Sequence, residues 1–248
     1  MDEDSELLQQ YTETRSEAAF STLVQRHLPL VYSAALRETG GDTHQAQDIT
    51  QTVFTLLARK ATKLHQHPAL CGWLYTTTHY IAAKSRQTEL RRLRREQEAH
   101  AMEIHEENPT STDCWERVKP VIDELMIQLK EADRTAVLLR YFDNRPFREI
   151  GAHLGLSENA VRMRLERALN SLRIALARRG ITTTAAALGA ALSSHAVTAP
   201  PAGLTAIVAT GASTTAAING GLTLLWGNEV KMLLKYFCLG LHGWVFCS

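Results

Sequence analysis

Apolar residues recur at steps of three and four through most of the first hundred positions, the period of a helix that buries one face. In "FSTLVQRHLPLVYSAALRE" the series Phe20, Leu23, Val24, His27, Leu28, Val31 and Ala35 predicts one such helix. Pro29 lies inside that series and predicts a kink or a division. The glycines of "GGDTHQ" break the period, and Asp42 or Thr43 is placed to cap the next helix. "AQDITQTVFTLLARKATKL" resumes it with Ile49, Val53, Leu56, Leu57 and Leu64 along one stripe. After "HQHPALCG", read as a loop from its proline and glycine, a third helix is expected from about Trp73 into "ELRRLRRE". No alternating strand pattern interrupts this block, which spans 5–95.

A second helical block occupies 117–180, a length at which one small core just suffices. Val121, Leu125, Ile127 and Leu129 form its first apolar set, and Val137, Leu138 and Tyr141 the next. Phe147, Ile150 and Leu154 end at Gly155, which supplies a turn. Ser157 then caps a last helix whose apolar positions are Val161, Leu165, Ala168, Leu169 and Leu172. The fold class expected is all-α: two small helical domains joined by a linker, the second a helix-turn-helix, followed by a tail.

Charge sharpens this division. The net charge is only +1, but it is segregated: +2 over 1–95, −7 over 96–116, +5 over 117–180 and +1 over 181–248. The seven carboxylates of 96–116, with no lysine or arginine, read as an extended acidic linker. The two basic blocks suit a polyanion partner. Residues 181–228 carry no charged side chain, and 22 of these 48 are alanine or threonine, which separates the tail from both blocks. Four scattered cysteines, with no Cys-x-x-Cys pair, fit a reducing compartment rather than a disulfide scaffold or zinc site. The amino terminus "MDEDSELLQQ" is acidic and has no apolar run, so no secretory leader is read and a cytoplasmic location is expected.

The chemistry concentrates in two places. A helix-turn-helix lays its second helix in the major groove. At 100° per residue, Asn159, Met163, Glu166 and Arg167 point away from the buried stripe, with Arg162 and Arg167 on opposite flanks. Flanking arginines suit phosphates, while Asn159, Met163 and the cap region suit base edges. A merely solvated basic helix is the competing reading, and the glycine turn and cap in "REIGAHLGLSENAVRMRL" weigh against it. In the first block Lys84, Arg86, Arg91, Arg92, Arg94 and Arg95 face one acid, Glu89, within twelve residues. Such a run releases counterions on binding phosphates. Trp73, Tyr75 and Tyr80 just upstream suit stacking on unpaired or flipped bases, although Trp73 taken alone reads as core. His65, His67, His100 and His105 make no ligand set, and no catalytic motif or cofactor fingerprint appears. No metal, no cofactor and no enzymatic activity are expected.

Both blocks, in this order, resemble the extracytoplasmic-function group of bacterial RNA polymerase sigma factors over about residues 15–180. "FSTLVQRHLPLVYSAAL", "AQDITQTVFTLLARK" and "GWLYTTTHYIAAKSRQTELRRLRRE" resemble that family's region 2, and "LKEADRTAVLLRYFDNRPFREIGAHLGLSENAVRMRLERALNSLR" its region 4. The resemblance implies promoter recognition and melting on behalf of core RNA polymerase, of a stress or envelope regulon. It implies that Asp48, Gln51 and Phe54, the family's "D-x-x-Q-x-x-F" helix, bind the polymerase clamp helices. Gln47 and Thr52 stand where the family often has glutamate. It implies a pocket for a flipped base of the minus-ten element around Gln66 and His67, with the basic stretch of Lys84, Arg86, Arg91 and Arg92 on the nearby backbone. Trp73 and Tyr80 join this set from the aromatic-basic pattern above. By the same resemblance Ser157, Glu158, Asn159, Arg162 and Arg164 would meet the minus-thirty-five element, with Met163 where a small or polar residue is usual. Met163 and Arg167 join this set from the helical face above. Partners implied are core RNA polymerase and promoter DNA, with room for an anti-sigma factor.

The tail lies outside the resemblance. Residues 202–226 lack charge over a length sufficient to cross a bilayer, yet Asn219 and interspersed glycines and hydroxyl residues make poor hydrocarbon. A loosely ordered tail, a regulatory contact with the body and the less favoured membrane attachment all stay open. Two alternatives to the sigma reading remain: a stand-alone helix-turn-helix regulator using 117–180, and a membrane-tethered helical adaptor.

Overall fold

The computed structural model describes residues 3–65, 67, 69–97 and 114–217, with the side chains among them except those of 92–97, 114 and 212–217. Every regular element among them is helical. The first block is built of α1 (Glu3–Thr14), α2 (Glu17–Glu38), α3 (Thr43–Leu64) and α4 (Leu70–Gln97). Ser16 caps α2 through Ala19 N–H, and Asp42 caps α3 through His44 and Gln45 N–H, so each helix starts where an acceptor meets its orphan donors. Pro29 does not divide α2, which runs unbroken for 22 residues. The proline forfeits one backbone donor, but Leu23, Val24, Leu28 and Val31 on either side of it are fully packed, and that burial outweighs the loss. The loop before α4 is shorter than expected, since Leu70, Cys71 and Gly72 are already helical.

The apolar stripes of α2 and α3 meet those of α1 and α4 around Phe20, Leu23, Val53, Phe54, Leu57, Trp73 and Leu74. A buried acid fixes the amino-terminal helix to this core. Asp4 on α1 accepts from Arg26 at 2.5 Å and pairs with His27 Nε2 at 2.7 Å. Burial opposes its ionisation, but those two partners hold the carboxyl well below the ordinary range.

The second block comprises α5 (Cys114–Val118), α6 (Ile122–Gln128), α7 (Glu131–Val137), one π turn (Leu138–Phe142), α8 (Phe147–Leu154) and α9 (Glu158–Arg178). The connection between α8 and α9 depends on two glycines. Gly155 adopts a left-handed φ of +64°, the usual device for ending a helix. Gly151 is the tighter constraint, because a Cβ there would stand 2.5 Å from the carbonyl oxygen of Leu156. Ser157 caps α9 by accepting from Ala160 N–H, and Val161, Leu165, Ala168, Leu169 and Leu172 are buried along it.

The two blocks share an apolar junction. Leu30 and Ala34 of α2, with Cys71 and Tyr75 of α4, belong to the same buried cluster as Ile122, Met126, Val137 and Leu138. One ion pair organises this junction. Arg37 of α2 makes a two-pronged contact with Asp123 of α6, both bonds 2.7 Å, and Tyr75 donates its hydroxyl to the same carboxylate at 2.5 Å. Burial disfavours the charged guanidinium, yet Asp123 outweighs it and the Arg37 pKa is raised. The Cys71 thiol, also buried here, is pushed up to about 12 by desolvation and stays protonated.

The tail forms α10 (Ala185–His195) and α11 (Leu204–Ala217). Thr184 caps α10, which lies along α9 with Leu188 and Leu192 buried and Gly189 close against Tyr141. His195 stacks on Trp115 with ring centroids 5.7 Å apart. α11 returns to the first block and rests on α2 and α3. Among the described residues no helix is long and apolar enough to cross a membrane. The acidic linker expected over 96–116 is shorter than that: Glu96 and Gln97 still belong to α4, and α5 begins at Cys114 with Trp115 buried in the second core. Residues 98–113 and the final apolar stretch, "MLLKYFCLGLHGWVF", fall outside the described residues.

Candidate nucleic-acid interface

The face of α9 turned from the core carries Glu158, Asn159, Arg162, Met163, Glu166 and Arg167, all exposed, with Met163 at 54 %. Ser157 is exposed while it caps the helix. Arg162 is not a free lever: its guanidinium lies 4.1 Å from the centroid of the Phe147 ring, and Arg140 approaches that ring at 4.8 Å. The aromatic face holds the cation in place by its quadrupole. Arg164 departs from the expected set. It is half-buried and turned toward Asp133 of α7 at 3.6 Å, so the stripe that presents Arg162 points Arg164 inward. In this conformation Arg164 therefore faces Asp133 instead of lying on the open side of α9.

The second expected surface lies along α4. Tyr80 is 41 % exposed and makes a T-shaped contact with the His79 ring, and Arg91 is exposed. Arg86 is engaged by Glu38: it donates to the Glu38 backbone carbonyl at 2.7 Å and pairs with its carboxylate. Burial resists ionisation of Glu38, but hydrogen bonds from His79 and Arg86 hold its carboxyl below the usual range. Lys84 is half-buried. Gln66 and the side chain of Arg92 fall outside the described residues. His67 is half-buried, and its Nδ1 accepts from Ala69 N–H at 3.2 Å. Burial pushes its imidazole pKa down. That leaves a neutral ring with Nε2–H as a donor.

Trp73 is 5 % exposed and fully engaged in the first core, so it cannot stack on a base. Its place in the apolar period of α4 decides this, and Tyr75 is buried for the same reason. Phe54 needs the same correction. In this conformation it is 0 % exposed beside Phe20 and Leu57, in the cluster that also holds Leu204 and Val208 of α11. Asp48 is exposed and Gln51 half-buried on the outward side of the same helix.

Three residues that position this surface were given no role in it by the sequence: Phe147 under Arg162, Asp133 beside Arg164, and Glu38 between His79 and Arg86. Their signal is weak because each is an ordinary core or surface residue until a helix distant in sequence brings its partner. Among the described residues no cluster of histidine, cysteine or carboxylate side chains could hold a metal ion.

A capped basic helix behind a glycine turn, set against a four-helix block with its own polar outer face, defines a two-part DNA-binding factor. Comparison with known proteins makes the class specific. Residues 23–98 match the family described as Sigma-70 region 2, and residues 121–172 the family described as Sigma-70, region 4. The chain is 28% identical over 171 residues to the ECF RNA polymerase sigma factor SigE of Mycolicibacterium smegmatis, covering 68% of this chain and 66% of that one. It is 26% identical over 170 residues to RpoE of Cereibacter sphaeroides, covering 67% and 91%. It is 28% identical over 178 residues to SigL of Mycobacterium tuberculosis, covering 66% and 93%. The chain belongs to the sigma-70 family, in its extracytoplasmic-function group, whose members direct promoter recognition in transcription initiation.

Proposed function

We propose that the chain joins core RNA polymerase through the outward side of α3, reads the minus-thirty-five element with α9, and opens the minus-ten element with α4 and the loop before it. The observation that carries this is the α9 face, where Asn159, Met163 and Arg167 are exposed around an Arg162 already fixed on Phe147. A pre-placed guanidinium loses less freedom on binding than a free one. Asp48 and Gln51 supply the polar contacts to polymerase, and Phe54 keeps their helix rigid. His67, neutral and with a donor to offer, suits a flipped base. Arg91 suits the backbone, and Arg86 reaches it on leaving Glu38. Unstacking costs a few kcal/mol per base, which several such contacts acting together offset.

On this reading the first block is region 2, the second is region 4, and the acidic connector between them follows the channel later taken by nucleic acid. The protein works in the cytoplasm on a stress or envelope regulon and catalyses no bond-making itself. An anti-sigma partner follows by analogy with the family alone. A stand-alone regulator would leave the exposed Asp48 and the α4 cations unused. The test is run-off transcription by purified core polymerase on a promoter library, with and without saturating full-length protein. New start sites sharing two spaced sequence elements are expected. A start-site profile identical to that of core alone would overturn the proposal.

A further inference from the structure

The tail does not simply trail from the second block. Ala196 offers its carbonyl to Arg37 at 2.6 Å, the same guanidinium that Asp123 grips with its other nitrogens. Thr198 donates its N–H to Ser33 Oγ on α2 at 2.7 Å. α11 then crosses onto α3 with Leu204 and Val208 sunk into the first core, 3 % and 0 % exposed. One helical turn further on, Gly211 approaches Gln51 so closely that a Cβ would stand 2.7 Å from Gln51 Nε2. The strap from Ala196 to Gly211 carries no charge, so it lies on α3 without stranding an ion. It covers Gln51 and leaves Asp48, less than a turn earlier, exposed.

We infer that Ala196–Gly211 is an intramolecular occupant of the polymerase-facing side of α3, so that the free protein rests with this surface covered by its own tail and polymerase must displace α11 to engage it. The inference rests on the proposal that α3 is the polymerase face. Two features make the cover removable. The block has its own core of Phe20, Phe54, Leu57 and Trp73 beneath the strap, and α11 adds Leu204 and Val208 from outside. Exposed Asp48 also gives a partner a foothold before α11 leaves.

The test is equilibrium binding of labelled full-length protein to purified core polymerase, combined with hydrogen exchange of α11. Val208→Asp sets a carboxylate in the buried contact and releases the helix. The α11 amides are then expected to exchange faster, and polymerase to bind about tenfold tighter or more, because a covered site lowers apparent affinity by its free fraction. A freely exchanging α11 with unchanged polymerase affinity overturns the inference, as does an α11 whose protection the substitution leaves unchanged. Asp48→Arg, made in both backgrounds, separates this from the reading beneath it. Weaker binding in both keeps α3 as the polymerase face and leaves Val208→Asp to decide alone. No effect in either background removes that face and the cover together.

Discussion

α3 and α9 are helices of nearly equal length, 22 and 21 residues, yet the structure treats their outward faces differently. α9 presents Asn159, Arg162, Met163 and Arg167 to solvent, whereas Gln51 of α3 lies under α11. The tail touches both helices: α10 packs on the apolar flank of α9 and α11 on α3. What separates them is charge. Laying an uncharged strap over arginines would strip them of water with no anion in return, a cost no apolar contact there could offset. Gln51 is neutral and the charged Asp48 stays outside the strap, so the covering strands no ion and costs little. The arrangement teaches that a basic helix face stays open by its own electrostatics, while the neutral part of a helix face can be guarded by a neutral tail.

The largest expected effect comes from breaking the junction that joins the strap and the two blocks. Asp123→Ala leaves Arg37 buried without its carboxylate, and removing one partner of such a pair typically costs about 3–5 kcal/mol. Chemical denaturation of the free protein measures it. A loss well under 1 kcal/mol would mean that water reaches Arg37 and that the junction does not hold the contrast in place. Next in size is Arg162→Ala on the open side. Binding to a promoter fragment should weaken by roughly 1–3 kcal/mol with relaxed preference at one position, while polymerase affinity is unchanged. An unaltered sequence preference would reduce Arg162 to a surface cation.

The smallest effect concerns the loop before α4. His67 has its pKa held below the ordinary 6.5 by burial, with its Nδ1 accepting from Ala69. A base whose folded pKa is depressed binds fewer protons folded than unfolded. Its contribution is therefore intact above pH 6.5 and declines as pH falls through the folded value. The stability difference between the wild type and His67→Ala should accordingly narrow from pH 7 to pH 5. A difference that is flat with pH would place His67 in bulk solvent and weaken its candidacy for a base pocket.

The elements and caps were legible in the chain because their causes are local. The period of Ile49, Val53 and Leu57 marks a helix, Asp42 and Ser157 satisfy donors two or three residues away, and Gly155 turns where a left-handed residue is needed. The outward face of α9 was legible from the helical period as well, but the other candidate site residues were not placed by it. Phe54 and Trp73 fit a motif and an aromatic-basic cluster equally well, and their burial depended on which stripe met which. Arg164 and Arg86 gave no sign in the sequence of their approach to Asp133 and Glu38 on other helices. Pro29 signalled a kink or a division, and the helix runs undivided through it.

By itself the sequence determined the all-helical character, the two basic blocks, the helix-turn-helix and an uncharged tail, all of which follow from interactions within a few residues. Only the tertiary structure decided that the blocks meet at Arg37 and Asp123, and that α11 crosses from the second block to lie on α3. Local propensity and periodicity set which face of a helix is apolar, but not which other apolar face, more than a hundred residues away, will cover it.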